Sequence, residues 1–181
     1  MGEVKPLIKN TKPKSLRVPV REQDPHERAT NFDEVCYGYN LEEAIEESKR
    51  CLSCKNARCI GTCPVGINIP EFIKKIIEKD IEGAGRIIAE SSALPAVCGR
   101  VCPQESQCEM TCIMGIKNEP VSIGKLERFV ADTNMKNGVV FGEKLPPKNI
   151  KVAIIGAGPA GLTAAGDLAR KGYDVTIFEA L

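Results

Sequence analysis

The chain has 181 residues, and its 25 Lys and Arg nearly balance its 24 Asp and Glu, which leaves a formal net charge of +1. This balance gives no electrostatic reason to expect nucleic acid or an anionic membrane as a partner. No apolar run approaches the roughly 20 residues that a membrane-spanning helix needs, and the first residues form no apolar signal region. The sequence therefore predicts a soluble, cytoplasmic protein.

The first segment, residues 1–30, is predicted to be an extended basic arm. Between residues 3 and 25 it combines four prolines with many Lys and Arg side chains and has no apolar period. Such a segment becomes ordered only where it lies on a neighbouring surface. His26, the one histidine of the chain, falls in this arm and is expected to be a solvated side chain.

A helical domain is predicted over residues 31–137, made of short amphipathic helices. Residues 41–50 carry acidic side chains early and basic ones late, the order that the helix dipole favours. Asn68, followed by a proline in the first turn, indicates the N-cap of a second helix, and a third passes through residues 81–88. Ser122 is predicted to cap a fourth helix, whose apolar face is Ile123, Leu126, Phe129 and Val130.

Nine cysteines dominate the chemistry of this domain. Eight fall into two groups spaced C-x2-C-x4-C-x3-C-P and C-x3-C-P-x4-C-x3-C, which comprise Cys51, Cys54, Cys59 and Cys63, then Cys98, Cys102, Cys108 and Cys112. The first spacing approximates the bacterial ferredoxin run, whose last cysteine before proline serves a second cluster. Two such groups predict two iron–sulfur clusters with crossed ligation, in which each cluster takes ligands from both groups. Cys36 stands apart and is expected to be a buried free thiol.

Two other uses of the thiols stay open at this point. Eight thiolates could bind two zinc ions and form a zinc-structured interaction module, although structural zinc usually pairs two knuckles across a longer loop. A secreted disulfide scaffold is disfavoured by the missing signal region and by the odd number of cysteines.

A Gly- and Pro-rich linker is predicted over residues 138–150, and a different fold begins at residue 151. A buried strand runs into the loop Gly156-Ala157-Gly158-Pro159-Ala160-Gly161, a helix follows, and a second strand ends in Glu179. A G-x-G-x-x-G loop in this setting, with an acidic residue after the next strand, is the dinucleotide-binding fingerprint.

Each residue type in this loop has a physical role. Gly156 permits the tight turn, Gly158 lets the backbone approach a pyrophosphate, and Gly161 lets helix and strand pack closely. The helix N-terminus at Pro159 and Ala160 presents free N–H groups to phosphates. Glu179 is placed to accept hydrogen bonds from ribose hydroxyls.

This second unit is expected to be incomplete, because one β-α-β unit buries neither face of its sheet. We therefore interpret residues 151–181 as the start of a Rossmann-like dinucleotide-binding domain in a mainly α chain. The sequence is interpreted as the N-terminal piece of a longer enzyme.

Taken together, these motifs resemble the N-terminal region of the glutamate synthase small-subunit family. The resemblance covers about residues 40–181 and rests on Cys51-Leu52-Ser53-Cys54, Cys63-Pro64, Cys98 to Gln104, Ile123 to Phe129, and Val152 to Gly161. Within this family the chain looks most similar to the large subunit of the bifurcating NADH-dependent ferredoxin:NADP oxidoreductase.

The resemblance implies a helical domain with two 4Fe-4S clusters, followed by an FAD domain and a pyridine-nucleotide domain. Carried over by position, one cluster would take Cys51, Cys54, Cys59 and Cys112. The other would take Cys63, Cys102, Cys108 and Glu127. Cys98 is the alternative to Glu127, because eight cysteines make two sets of four.

The resemblance also implies a function for the complete enzyme. Hydride would be transferred between NADPH and FAD, and single electrons would pass through the two clusters to or from the flavin of a partner subunit. That partner would be a second flavoprotein or a glutamate synthase-type subunit, with ferredoxin as a further candidate. Only the adenine half of the FAD site is expected within these residues, no side chain is expected to be catalytic, and the piece alone is expected to be inactive.

Overall fold

The computed structural model describes residues 15–143 and 145–180. Within these residues the chain forms a helical unit that ends at Lys136, followed by a small unit with two parallel strands. The predicted fold class, mainly helical with a strand-helix-strand segment after the helices, is confirmed.

Short helices and two short strands make up the described part of the helical unit. They are β1 (Arg21–Glu22), α1 (Pro25–Arg28), β2 (Cys36–Gly38), α2 (Leu41–Ser48), α3 (Arg58–Thr62), α4 (Ile69–Ile77), α5 (Ile81–Ala89), α6 (Pro95–Val101) and α7 (Ile123–Lys136). β1 and β2 pair antiparallel. Two 3-10 turns, Gln104–Ser106 and Ile113–Ile116, lie between α6 and α7.

Helix α7 lies at the centre of this unit, because α2, α4, α5 and α6 all pack against it. Its predicted apolar face is buried and meets apolar side chains of α4 and α5, namely Phe72, Ile73, Ile76, Ala84 and Ile88. Burying one such large side chain stabilises the fold by roughly 1.5–3 kcal/mol. The longest described helix, α7, has 14 residues, and no helix in the described ranges has the length and apolar character of a membrane span.

The start of α7 differs from the sequence prediction. Ser122 is the N-cap residue, but its side chain makes no capping hydrogen bond. Two carboxylates from elsewhere accept the free N–H groups instead: Glu47 binds the N–H of Ser122 at 2.8 Å, and Glu109 binds that of Gly124 at 3.2 Å. Asn68 likewise occupies the N-cap of α4 without a side-chain bond.

The described part of the predicted arm lies against the helical unit. Residues 1–14 lie outside the described residues. The N–H of Val18 donates to Glu47 at 2.8 Å, and the guanidinium of Arg17 donates to Glu109 at 2.6 Å. Residues 25–28 form the helical turn α1, which the sequence prediction did not include, and His26 is exposed as expected.

A buried ion pair holds the arm in place. Arg50 Nη1 lies 2.6 Å from Glu47 Oε1, and these side chains are 1% and 0% exposed. Arg50 also donates to the backbone carbonyls of Ser15 at 3.2 Å and Glu119 at 2.5 Å. The pair therefore joins three segments: the arm, the end of α2, and the loop that leads into α7.

The second unit contains β3 (Lys151–Ile155), α8 (Pro159–Arg170) and β4 (Asp174–Phe178). The two strands are parallel, with Lys151 opposite Asp174 and Ile155 opposite Phe178. Apolar side chains on this sheet remain in solvent, since Ile155 is 82% and Phe178 54% exposed.

The segment between the two units contacts both of them. The ring of Phe141 packs over Gly85 in α5. The N–H groups of Leu145 and Lys148 donate to the carbonyls of Arg170 and Gly172 at the end of α8, both at 2.8 Å.

Candidate metal centres

Four thiols from both cysteine groups line one pocket. They are Cys51, Cys54, Cys59 and Cys112, the set assigned above to one cluster. The end of α2 leads into the first thiol, α3 carries the third, and the fourth precedes the second 3-10 turn. The pocket is otherwise mainly apolar, lined by Leu52, Ala57, Ile69, Pro70, Ile73, Ile113, Met114, Val121 and Ile123.

The C-x2-C turn in this pocket depends on an unusual backbone conformation. Ser53 has a φ of 46°, in the left-handed region that residues other than glycine seldom adopt. The backbone N–H of Ser53 hydrogen-bonds the thiol of Cys51 and lowers its pKa against the effect of burial. Hydrogen bonds to ligand sulfur are one means by which proteins set the potential of an iron–sulfur cluster. The sequence prediction did not single out Ser53.

Burial favours the protonated form of two of these thiols, Cys51 and Cys59. Burial raises the pKa of Cys59 to about 11, with further increases from Cys51, Cys112 and Cys54. Burial also raises the pKa of Cys51, and its neighbours Cys112 and Cys54 add to the rise. Reactive cysteines need a lowered pKa, whereas a metal displaces the thiol proton on binding. The set is therefore suited to metal ligation and poorly suited to nucleophilic or disulfide-exchange chemistry.

A second set of acidic groups gathers between α6 and α7. Burial raises the pKa of Cys108 to about 12, and Glu109, Cys63 and Glu127 raise it further. Burial likewise raises the pKa of Cys102 to about 11, and the groups that add to this include Cys98, Glu127 and Cys63. Cys63 and Glu127 therefore lie near enough to Cys102 and Cys108 to raise the pKa values of both thiols.

Glu127 is a buried carboxylate with an unsatisfied oxygen. Its side chain lies in the middle of α7, the residue is 7% exposed, and burial raises its pKa to about 7. Its Oε1 has no hydrogen-bond partner among the described residues. Burying a polar atom without a partner costs free energy, and a bound cation can satisfy such an oxygen. Glu127 is therefore not the solvated surface charge that is the common fate of a helical glutamate.

Cys98, the alternative ligand, also lies beside the second set. Cys98 adds to the rise that burial causes in the pKa of Cys102, and its Sγ lies 3.9 Å from the hydroxyl oxygen of Ser92. All nine cysteines are free thiols, and Cys36 is half-buried in β2 where the sequence predicted a buried thiol. Within the described ranges no three His, Cys, Asp or Glu side chains converge on a point that could hold a single metal ion.

Glu109 is a second residue that the sequence prediction missed. Burial raises its pKa, and the nearby guanidinium of Arg17 opposes this effect. The carboxylate lies next to Cys108 in the chain and also accepts from the start of α7. No local pattern marks such a residue, because its partners come from the arm and from α7.

The glycine loop after β3 has the geometry expected of it. Gly156 has a φ of 99°, which requires glycine. A Cβ on Gly161 would lie 2.1 Å from the carbonyl oxygen of Gly156, whereas a Cβ on Gly158 would meet no atom within 4 Å. The predicted tight turn and close packing are thus present, and Gly158 faces open space at the N-cap of α8. Helix α8 then starts with Pro159 at its first position.

Glu179 lies next to this glycine loop. Its carboxylate accepts from the N–H of Ala157 at 2.6 Å and from that of Ala180 at 2.7 Å. The side chain therefore reaches back from the end of β4 to the loop after β3, where the fingerprint requires an acidic group.

Comparison with known protein families matches both units. Residues 28–139 match the family described as "Dihydroprymidine dehydrogenase domain II, 4Fe-4S cluster", which is more than half of the chain. The chain belongs to this iron–sulfur domain family. Residues 154–181 match the family described as "NAD(P)-binding Rossmann-like domain".

Three relatives contain a similar segment. The NAD-dependent dihydropyrimidine dehydrogenase subunit PreT of Escherichia coli strain K12 is 42% identical over 148 residues, which are 82% of this chain and 36% of the relative. The putative oxidoreductase UacF of the same strain is 42% identical over 155 residues, 84% of this chain and 24% of the relative. The glutamate synthase (NADPH) small chain of Halomonas elongata is 36% identical over 174 residues, 90% of this chain and 36% of the relative.

These matches confirm the resemblance to the glutamate synthase small-subunit family and the presence of a 4Fe-4S domain followed by a nucleotide-binding unit. The chain spans about a third or less of the length of these relatives. The closer likeness to the ferredoxin:NADP oxidoreductase large subunit, the number of clusters and the identity of the nucleotide stay predictions.

Proposed function

We propose that this chain is the N-terminal electron-transfer portion of an NAD(P)H-dependent oxidoreductase of the glutamate synthase small-subunit type. It passes electrons between FAD and a partner subunit through two 4Fe-4S clusters. One observation carries the proposal: thiols from two cysteine groups that are far apart in the sequence line one apolar pocket. The match of the surrounding residues to a 4Fe-4S domain family supports it.

The first cluster would be held by Cys51, Cys54, Cys59 and Cys112. Thiolates are soft ligands of the kind that iron–sulfur clusters require, so the donor set fits the group. When bound, the cluster supplies one-electron redox chemistry. The protein residues bind it, and the apolar side chains of the pocket limit access of water, which affects the potential.

The second cluster would be held by Cys63, Cys102, Cys108 and Glu127, with Cys98 as the alternative to the carboxylate. The unsatisfied, buried oxygen of Glu127 supports this assignment. A carboxylate is a harder ligand than a thiolate and would change the charge at the site, so the second cluster would have a potential different from that of the first.

The glycine loop would bind the adenine side of FAD. The pyrophosphate would lie at the N-terminus of α8 beside Gly156, Gly158 and Gly161, where free N–H groups and the helix dipole favour an anion. Glu179 would accept from the ribose. We divide the chain accordingly into an arm (1–30), an iron–sulfur domain (31–137), a linker (138–150) and the start of the FAD domain (151–181).

The proposal includes partners and location. The names of two relatives, a subunit and a small chain, support an assembly with a second flavoprotein or a glutamate synthase-type subunit, with ferredoxin as a further candidate. NADPH would bind to a further domain of the full-length enzyme, and the assembly would work in the cytoplasm.

The test is the iron, acid-labile sulfide and zinc content of anaerobically purified protein. We expect a brown protein with about eight iron and about eight sulfide per chain, the content of two 4Fe-4S clusters. Cys54→Ala should reduce the iron to about half or prevent folding, because metal binding supplies much of the folding free energy in such domains.

Cys36→Ala is the matched control, since this thiol belongs to neither set, and it should keep the iron of the unmodified protein. A colourless protein that contains about two zinc per chain and cannot be reconstituted with iron and sulfide would refute the proposal. That result would establish the zinc-structured interaction module instead.

A further inference from the structure

Two short segments each contribute one cysteine to each of the two metal sites proposed above. Both segments have the same spacing of cysteine and threonine. Cys59-Ile60-Gly61-Thr62-Cys63 and Cys108-Glu109-Met110-Thr111-Cys112 both have the pattern C-x2-T-C. A threonine therefore stands directly before the last cysteine of each segment.

The two threonines contact each other. Their Oγ1 atoms are 2.9 Å apart, although Thr62 and Thr111 are separated by 49 positions in the sequence. Both residues are half-buried. Among the described residues this is the one hydrogen bond that joins the two segments.

Each hydroxyl also lies near a carbonyl of its own segment, which accounts for its proton. Thr62 Oγ1 lies 3.5 Å from the carbonyl oxygen of Cys59 and 3.3 Å from that of Arg58, which precedes the segment. Thr111 Oγ1 lies 3.3 Å from the carbonyl oxygen of Cys108. A hydroxyl has one proton to donate and can accept as well. One threonine can therefore donate to the other while the second donates to its own segment, so that both protons are used.

The contact lies where the two ligand sets cross. In the function proposed above, on which this inference rests, Cys59 and Cys112 hold one cluster while Cys63 and Cys108 hold the other. Each segment thus runs from one metal site to the other, and the threonines bond where the segments meet. We propose that Thr62 and Thr111 form a clasp that fixes the separation and relative orientation of the two metal sites.

A hydrogen bond suits this task better than an apolar contact. It has a preferred length and direction, whereas dispersion contacts between side chains are non-directional and individually weak. The transfer of electrons between two centres and the dipolar interaction between their spins both fall steeply with distance. A small displacement of one segment would therefore change both quantities.

The test uses the full chain, loaded with iron and sulfide and fully reduced, and reads the spin–spin interaction between the clusters by EPR. Thr62→Val and Thr111→Val keep the shape of the side chain and remove the hydroxyl. We expect each variant to keep its iron and to lose the well-defined splitting of the unmodified protein. The double variant should be no worse than either single one, because all three lose the same hydrogen bond.

Two further variants serve as controls. Thr62→Ser keeps a hydroxyl and should restore the original spectrum. Thr163→Val removes a hydroxyl that bonds the carbonyl of Pro159 within α8 at 2.7 Å, and it should leave the spectrum unchanged.

An unchanged splitting in both valine variants, with full iron content, would overturn the clasp. Loss of iron from the valine variants would also refute it, and so would a splitting in Thr62→Ser that is altered as much as in Thr62→Val. An unmodified protein that binds no iron would refute the proposed function itself, and measuring that protein first separates the two failures.

Discussion

The burial of the Glu127 carboxylate costs free energy of folding. The carboxylate is buried in α7, and one oxygen has no hydrogen-bond partner in the described part of the chain. Burial raises its pKa to about 7, which measures how strongly the site disfavours the charged form without a cation. Iron at the second site would offset this cost, because it would give the carboxylate a positive partner.

The variants Glu127→Ala and Cys98→Ala distinguish the two candidates for the eighth ligand. If the carboxylate is the ligand, Glu127→Ala should change the EPR spectrum and the reduction potential of one cluster and leave the other as it was. Cys98→Ala should then keep both spectra. An unchanged spectrum in Glu127→Ala would exclude the carboxylate of Glu127 as a ligand. A changed spectrum in Cys98→Ala at the same time would assign the eighth ligand to the thiol of Cys98.

The elements that carry the second ligand set depend on one close helix crossing. Gly99 in α6 lies directly against α7, since a Cβ at this position would lie 2.7 Å from Cβ of Arg128 and 2.8 Å from its Cα and N. The guanidinium of Arg100 then pairs with Asp132 of α7 at 2.8 Å and with Glu34 at 2.7 Å. Together these contacts hold α6, with Cys102 directly after its last residue, against the helix that carries Glu127.

Gly99→Ala should push α6 away from α7. We expect it to lower the free energy of unfolding by about 1–3 kcal/mol, as overpacking of a close contact does, and to disturb the cluster that uses Cys102. Urea denaturation and the EPR spectrum would measure the two effects.

Gly166→Ala in α8 is the control, because a Cβ there meets no atom within 4 Å. It should be neutral, or stabilise the helix by up to about 1 kcal/mol. A Gly99→Ala variant that behaves like this control would show that α6 and α7 tolerate a wider separation.

Elements with a clear apolar period were predictable from the sequence, and those without one were not. Helices α2, α4, α5 and α7 bury one regular face, so their positions follow from spacing. Helices α3 and α6 were missed because they have five and seven residues, contain cysteine and glycine, and bury no such face. The carboxylates that cap α7 come from distant positions, which a local capping rule does not detect.

In the candidate site, too, the sequence predicts only those residues that a local pattern or the family resemblance marks. The two cysteine groups and their suitability for iron–sulfur clusters follow from the spacing, whereas the placement of Cys112 with the first three thiols followed only from the family resemblance. Glu127 followed only from the family resemblance, since no spacing rule marks a single glutamate in a helix. Thr62, Thr111 and Glu109 gain their roles from long-range contacts and could not be assigned before the fold was known.

On the scale of the whole molecule, the pair of Glu47 and Arg50 joins three distant segments of the helical unit. This pair contacts the arm at Ser15 and Val18, and it contacts the loop before α7 at Glu119 and Ser122. Glu47 lies in the last turn of α2, which ends at Ser48, and Arg50 directly precedes Cys51. The position of the first thiol therefore depends on segments from three distant parts of the chain.

Arg50→Met should lower the free energy of unfolding by about 3–5 kcal/mol, because it leaves the carboxylate of Glu47 buried without its charged partner. The measurement is urea denaturation of the iron-loaded protein.

Arg21→Met is the matched control. Arg21 pairs with Glu43 at 3.2 Å, but its side chain is 51% exposed, and exposed pairs contribute at most about 1 kcal/mol. If Arg50→Met and Arg21→Met lower the free energy of unfolding equally, the buried pair has no special role in holding the three segments.

The shared pocket has a consequence for how the protein is made. Cys112 completes the first thiol set but lies 53 positions after Cys59, since 112 − 59 = 53. At a synthesis rate of roughly 5–20 residues per second, several seconds pass between the emergence of these two residues from the ribosome. During this interval the first three thiols are exposed to oxygen and to free metal ions without their fourth partner. Iron delivered to the nascent chain before Cys112 emerges would find an incomplete site.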